Sequence, residues 1–108
     1  MKIAVTDWCI QNGKGYNCYS CPVALALKKA GASHAMVWTA FHRIKLPNNN
    51  FREELIVQLR FLYNNVWIQL TAPDTVKEFI QKYDKSNTSV NPFSFDIDIL
   101  HFIHDKII

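Results

Sequence analysis

The chain has 108 residues, a length that fits one domain able to bury a core without disulfide or metal staples. Its hydrophobic content of 49% and aromatic content of 13% are typical of a packed globular protein and exclude an intrinsically disordered chain. The net charge of +3 is too small for a dedicated nucleic-acid binder, but it is compatible with a small anionic ligand or an acidic protein surface.

The opening segment predicts a strand followed by one helical turn. Residues Lys2–Val5 are a short apolar stretch that suits a strand. Thr6 can cap the turn Asp7–Asn12, because its hydroxyl oxygen can accept a hydrogen bond from a free backbone N–H. Gly13 is expected to end this turn in the left-handed conformation.

The string Cys18-Tyr19-Ser20-Cys21 comes next, directly before a short apolar helix. Pro22 suits the first position of that helix, because its missing N–H would have no partner there, and Gly31 can end it. Two thiols at the start of a helix can hold a metal, cycle between thiol and disulfide, or simply begin the helix. The sequence leaves these three interpretations open.

From residue 35 onwards the periodicity changes to that of strands, and it returns to a helix before the last strand. Asn64-Asn65 predicts a hairpin turn, and Thr71 is a candidate cap for the later helix. Residues 101–108 are a tail that could be loose, and the sequence assigns no helix or strand to them. The predicted elements are strands at Ala35–Leu46, Glu54–Leu62, Val66–Thr71 and Phe93–Ile99, and a helix that starts near Asp74 and carries an apolar stripe to Tyr83.

The order of elements is β-α-β-β-β-α-β, which predicts a single α+β domain over residues 1–108. We expect one mostly antiparallel sheet with two helices on one face. Exposed edges in so small a sheet favour a homodimer. No apolar run approaches the roughly 20 residues that cross a bilayer, and no signal pattern opens the chain, so we expect a cytoplasmic protein that contacts no membrane.

The paired thiols support two hypotheses. Zinc could be held by Cys18 and Cys21 together with His101 and His104, although this histidine spacing is one residue short of the usual one. Thiol redox chemistry is favoured by the helix N-terminus, which stabilises a thiolate. Against it, a loop rich in Gly and Asn precedes the pair, whereas in thioredoxin-like enzymes a buried strand does. An odd cysteine count argues against a disulfide framework.

A third hypothesis is a site for a small anionic or nucleotide-like ligand. The loop before the helix leads to backbone N–H groups that can hold an anion, and the predicted sheet carries cationic and aromatic side chains. The alternative is that these are ordinary surface residues. The candidate ligand-binding residues are Lys14, Tyr16, Asn17, Ser20, Arg43, Arg60, Tyr63 and Trp67.

Enzymatic activity is not expected, and neither is a cofactor. Ser20 and Ser33 lack the context of a nucleophile elbow, and His34 and His42 are more often structural than catalytic in such positions. The carboxylates of Asp96 and Asp98 share one face of the last predicted strand and could act as an acid–base pair. Residues in that pattern more often form a solvated face.

Two segments resemble small uncharacterised proteins of bacteriophages and actinobacteria. The first runs from Val5 to Gly13 and continues through Cys18-x-x-Cys21 into the apolar string that ends at Leu27; the second is Phe79-Ile80-x-x-Tyr83-Asp84 with Val90-x-Pro92-Phe93-x-Phe95. Together they cover about half of the chain, and the hairpin Phe51–Thr71 looks like an addition. No activity is assigned to that family, so the resemblance carries over no functional residue.

What the resemblance implies is a phage context, in which small accessory proteins often inhibit host defence. The chain is then expected to be a non-enzymatic inhibitor that sequesters a nucleotide-derived signal or another small anion in the host cytoplasm. The alternatives are an inhibitor that docks on a host protein, and a zinc- or thiol-dependent protein built on Cys18 and Cys21.

Overall fold

The computed structural model describes residues 1–15, 17–85 and 89–98, which fold into an α+β structure. Five strands and three helices lie in these residues. They are β1 (Lys2–Val5), α1 (Asp7–Asn12), α2 (Pro22–Lys29), β2 (His34–Lys45), β3 (Phe51–Tyr63), β4 (Val66–Thr71), α3 (Asp74–Asp84) and β5 (Phe93–Asp96).

The strands form two antiparallel sheets, so the expectation of a single sheet is wrong. β1 pairs with β5 in a two-stranded sheet, and β2, β3 and β4 form a three-stranded meander. Reciprocal backbone bonds of 2.8 Å between Met1 and Ile97 extend the first pairing. Alternating apolar residues identify a strand but not its partner, because every half-buried strand shows the same period.

The two hairpin connections differ in how well the sequence predicts them. Asn64 and Asn65 have φ values of 50° and 64°, the conformation of a type I′ turn, so that prediction is confirmed. β3 begins at Phe51 rather than at Glu54, because its ladder with β2 continues to the Lys45–Phe51 pair.

The helix ends confirm some predicted caps and overturn others. The Thr6 hydroxyl oxygen accepts a 3.4 Å bond from the Cys9 N–H, as predicted, and Gly31 follows α2 with a φ of 118°. Gly13, however, has a φ of −75°, so it is not left-handed. Thr71 does not cap α3, since that helix starts after Pro73 and the Thr71 hydroxyl oxygen accepts a 2.9 Å bond from Gln58.

α2 joins the two sheets, because it contacts both β1 and β2. Its apolar residues are almost all buried, and α3 adds Val76, Phe79 and Ile80 to the same core. The core face of the three-stranded sheet carries Val37, Val57, Leu59, Phe61 and Ile68. The alternate residues of β2, from Met36 to Ile44, lie on the opposite face of the sheet and are only half-buried where apolar.

The distal part of the β2–β3 hairpin, residues 40–56, extends beyond the core; we call it the hairpin arm. β4 pairs only with residues 58–63 of β3, so the arm has two strands instead of three. Its Phe41 and Phe51 side chains are 73% and 55% exposed. The radius of gyration of 15.0 Å exceeds the roughly 13 Å expected for a compact chain of this length, as a projecting arm requires.

Among the described residues, no helix is both long enough and apolar enough to cross a membrane.

Candidate functional site

A cavity of about 380 Å³ lies on the three-stranded sheet, and we call it the cationic cavity. Side chains of β2, β3 and β4 form its floor, and the segment around the start of α2, together with Lys28, forms its wall. Its lining residues are Tyr19, Lys28, Ser33, His34, Ala35, Met36, Arg60 and Trp67.

Strand register brings the floor residues together. In the ladders, Leu62 of β3 lies between His34 and Trp67, and Arg60 lies opposite Met36. The Arg60 guanidinium carbon is 4.6 Å from the centre of the Trp67 ring, and the His34 ring stacks on the same indole with centroids 6.2 Å apart. A flat, 46% exposed indole with a cation above it therefore faces the cavity.

The opposite wall adds a second cation and a second aromatic ring. The Lys28 ammonium donates a 2.9 Å hydrogen bond to the Tyr19 carbonyl, which ties the end of α2 to the segment before it. The Tyr19 side chain is 59% exposed. The lining residues that the structure describes include two full positive charges and no carboxylate.

This arrangement suits a ligand that combines an anion with a planar ring. Arg and Lys provide charge-assisted donors for a phosphate or carboxylate, and a guanidinium presents those donors in a planar fork. An exposed indole offers a stacking surface to any heteroaromatic ring. The cavity volume is close to the lower end of the range for small-molecule sites, which fits a mononucleotide better than a long polymer.

Of the candidate ligand-binding residues, the structure brings Arg60 and Trp67 together in this cavity. Asn17, by contrast, uses its side-chain oxygen locally, accepting bonds of 3.0 and 3.1 Å from the N–H groups of Tyr19 and Ser20. The Lys14 N–H donates to the Ser20 carbonyl at 2.9 Å, and neither residue lines the cationic cavity. Tyr16 lies outside the described residues.

Arg43 and Tyr63 also lie elsewhere. Arg43 is on the hairpin arm, 4.0 Å from Glu53 and above the Phe51 ring. It is seven positions from Met36 along β2, about 23 Å at the usual rise of a strand. Tyr63 is half-buried and packs beside Gly31, where an added Cβ would lie 3.2 Å from its ring.

Sequence reasoning missed Tyr19, Lys28 and His34 as site residues. Lys28 belongs to no motif with chemistry attached, and His34 was interpreted as structural. Their proximity to Arg60 depends on how α2 packs against the edge of β2, which is a long-range contact without a local signal. The alternation of apolar and polar residues predicted the strands of the β3–β4 hairpin, which carry Arg60 and Trp67 on one face.

A second cavity, of about 230 Å³, lies on the other side of the segment before α2, and we call it the thiol cavity. Cys18 and Cys21 both line it, facing the C-terminal part of α3. The other lining residues are Asn17, Pro22, Val37, Trp38, Thr39, Phe79, Ile80, Tyr83 and Asp84.

Burial raises the pKa of the Cys21 thiol above its ordinary value. The backbone N–H groups of Ala24 and Val23 lower the pKa, but burial outweighs them, and Asp84 and Cys18 add to the upward shift. The Cys21 side chain is therefore a protonated, neutral thiol in the folded protein at neutral pH.

This shift predicts a loss of stability at alkaline pH. Because the folded state holds the Cys21 proton more tightly than the unfolded chain, the stabilisation is complete below the unfolded pKa of about 9 and disappears as the pH rises through the folded pKa. In urea titrations, we expect the free energy of unfolding to fall more steeply above pH 9 in the wild type than in Cys21→Ala. Parallel curves for the two proteins would contradict the assignment.

Only two of the four predicted zinc ligands lie in the described residues. Cys18 and Cys21 line one cavity, whereas His101 and His104 lie outside the described residues. Within residues 1–15, 17–85 and 89–98, no group of three or more potential metal ligands comes together. Asp96 of the suggested acid–base pair lies opposite Lys2 in the β1–β5 ladder, and both Asp96 and Asp98 are exposed.

Comparisons of the chain with family models, with curated proteins and with solved structures found no match.

Proposed function

We propose that the protein binds a small phosphate-bearing, nucleotide-like ligand in the cationic cavity and holds it without changing it. The observation that carries the proposal is the juxtaposition of Arg60, 4.6 Å from the Trp67 ring, with Lys28 on the facing wall. In this arrangement the phosphate lies between the two cations, and the base stacks on the exposed indole.

The lining residues favour binding over catalysis. The Ser33 hydroxyl donates to the Leu62 carbonyl at 3.5 Å, so it is directed towards the backbone instead of towards a general base. The His34 imidazole stacks on Trp67. Neither contact activates a nucleophile, which requires a base within hydrogen-bond reach of the attacking group.

The biological role in the proposal is sequestration. The resemblance of the two terminal segments to small phage proteins suggests that the bound ligand is a nucleotide-derived signal of host defence. A protein of this kind acts stoichiometrically, so it requires affinity and slow release but no reaction. The cavity supports the ligand class, whereas the phage context rests on the sequence resemblance.

The test is a calorimetric panel that separates the two halves of the ligand. AMP and ADP-ribose are compared with adenosine, which has no phosphate, and with ribose 5-phosphate, which has no base. A charge-assisted hydrogen bond contributes about 1.5–3 kcal/mol, and stacking of a base on an aromatic side chain contributes about 1–3 kcal/mol. We therefore expect adenosine and ribose 5-phosphate each to bind about 10-fold more weakly than AMP. After denaturation, chromatography should recover the nucleotide intact.

Two results would overturn the proposal. Equal binding of AMP and ribose 5-phosphate would show that Trp67 does not contact the base. Recovery of a chemically altered nucleotide would show that the protein is an enzyme.

A second candidate function is attachment to another protein through the hairpin arm. Phe41 and Phe51 are the most exposed phenylalanines of the described chain, and two-stranded ribbons are only marginally stable in water without a further surface to pack against. The partner is a host protein or, in the predicted homodimer, a second copy. The arm is remote from the cationic cavity, so the two functions are separable.

A further inference from the structure

The turn Asn17–Cys21 forms a shared wall between the two cavities. Cys18 and Cys21 line the thiol cavity, whereas Tyr19 lines the cationic cavity. Any chemical change at the two thiols therefore acts on a segment that also shapes the candidate ligand site.

The backbone of this turn places the two thiols on one side. The Asn17 carbonyl accepts hydrogen bonds from the N–H of Cys21 at 3.0 Å and from the N–H of Ser20 at 3.4 Å, the pattern of a single helical turn. Residues three apart in such a turn lie on the same face, with Cβ atoms about 5–6 Å apart. A disulfide needs about 3.5–4.5 Å between Cβ atoms, so closure requires a movement of about 1–2 Å.

The three cysteines differ in access. Cys18 is half-buried, and Cys21 is 8% exposed. Cys9 is fully buried and accepts a 3.4 Å contact from the Thr6 hydroxyl. An oxidant in solution therefore reaches Cys18 first. Cys21 lines the same cavity as Cys18 and can react with it, whereas Cys9 is too deeply buried to react.

We propose that Cys18 and Cys21 form a reversible disulfide with glutathione disulfide as the oxidant. The Cys18 thiolate attacks one sulfur of glutathione disulfide, forms a mixed disulfide and expels one glutathione thiolate. Cys21 then loses its proton to solvent, attacks the Cys18 sulfur and expels the second glutathione thiolate. The protein loses two protons and two electrons, which together are two hydrogen atoms, and glutathione disulfide gains them to become two glutathione molecules.

The disulfide also regulates ligand binding, a consequence that rests on the proposed function. Closing the turn moves Tyr19, whose carbonyl accepts the 2.9 Å hydrogen bond from Lys28. Loss of a contact of this type costs about 1 kcal/mol, so we expect AMP to bind roughly 5-fold more weakly to the oxidised protein.

The test equilibrates the protein in buffers of increasing glutathione disulfide and measures intact mass after acid quenching. We expect a species lighter by two hydrogen atoms, with peptide mapping that joins Cys18 to Cys21. Cys9→Ala should retain this species, and Cys21→Ser should stop at the glutathione adduct on Cys18. An unchanged mass at every ratio, or a disulfide that includes Cys9, would overturn the proposal.

The mass measurement needs no ligand, so its outcome is independent of the proposed function. Calorimetry with AMP on the oxidised and reduced proteins then tests the regulation. Equal affinities would remove the regulatory role and leave the disulfide in place, whereas weaker binding after oxidation, reversed by dithiothreitol, would support it.

Discussion

Replacing Arg60 by alanine is expected to weaken AMP binding about 10- to 100-fold, because the variant loses charge-assisted donors worth about 1.5–3 kcal/mol. The same change at Arg43 removes the same charge from the same hairpin. Since Arg43 lies on the hairpin arm beside Glu53, we expect its loss to leave the affinity almost unchanged. Isothermal titration calorimetry at one ionic strength measures both variants.

The pair of variants separates a specific site from a general attraction of anions to a basic protein. If net charge alone attracted the nucleotide, Arg43→Ala and Arg60→Ala would weaken binding equally, and this result would contradict the site. Both side chains are exposed on the same sheet, so neither replacement should disturb the core. Circular dichroism melting curves of the two variants should therefore coincide with that of the wild type.

Replacing Gly13 by alanine is expected to destabilise the fold by about 1–3 kcal/mol through overpacking. An added Cβ would lie 2.7 Å from the ring and nitrogen of Pro22 and 2.8 Å from the Cys9 carbonyl oxygen. These atoms belong to the backbone of α1 and to the first residue of α2, and they cannot move without shifting a helix. The Gly13 carbonyl also accepts a 2.8 Å bond from the Tyr83 hydroxyl, so the strain reaches α3.

Gly15→Ala is the matched control, two residues along the same loop. An added Cβ there would have its closest contacts at 3.5 Å, from Asp84, and 3.8 Å, from Tyr83, which is ordinary packing. We expect its free energy of unfolding, measured in urea, to lie within about 0.5 kcal/mol of the wild type. Equal destabilisation by both substitutions would show that the cost comes from lost backbone flexibility in the loop and not from the close contacts at Gly13.

Sequence reasoning predicted the elements better than their assembly. Asn64-Asn65, Thr6 and Pro22 act through neighbours within a few residues, so their turn and cap roles could be read locally. The partner of β1 could not, because its pairing with β5 depends on residues 88 to 94 positions away. The wrong prediction for Gly13 has the same kind of cause. A glycine is required at position 13 because Pro22 lies too close for a Cβ, and not because the backbone there has a positive φ.

The candidate site shows the same division. Arg60 and Trp67 lie on two strands joined by a short turn, and register alone brings them together. Lys28 and Tyr19 join them only because α2 packs against the edge of β2. Arg43 has the same side chain as Arg60, but it lies on the hairpin arm. The residue type alone does not show which of the two arginines lines the cavity.

Native mass spectrometry of the protein, recovered from the cells in which it is produced, reports whether the cationic cavity holds a ligand. We expect one phosphate-bearing small molecule per chain, released intact on denaturation, retained by Arg43→Ala and lost from Arg60→Ala. The same spectrum reports a second copy or a host protein held through the hairpin arm. A wild-type spectrum without a small-molecule adduct, or an adduct that persists in Arg60→Ala, would show that the cationic cavity is not the binding site.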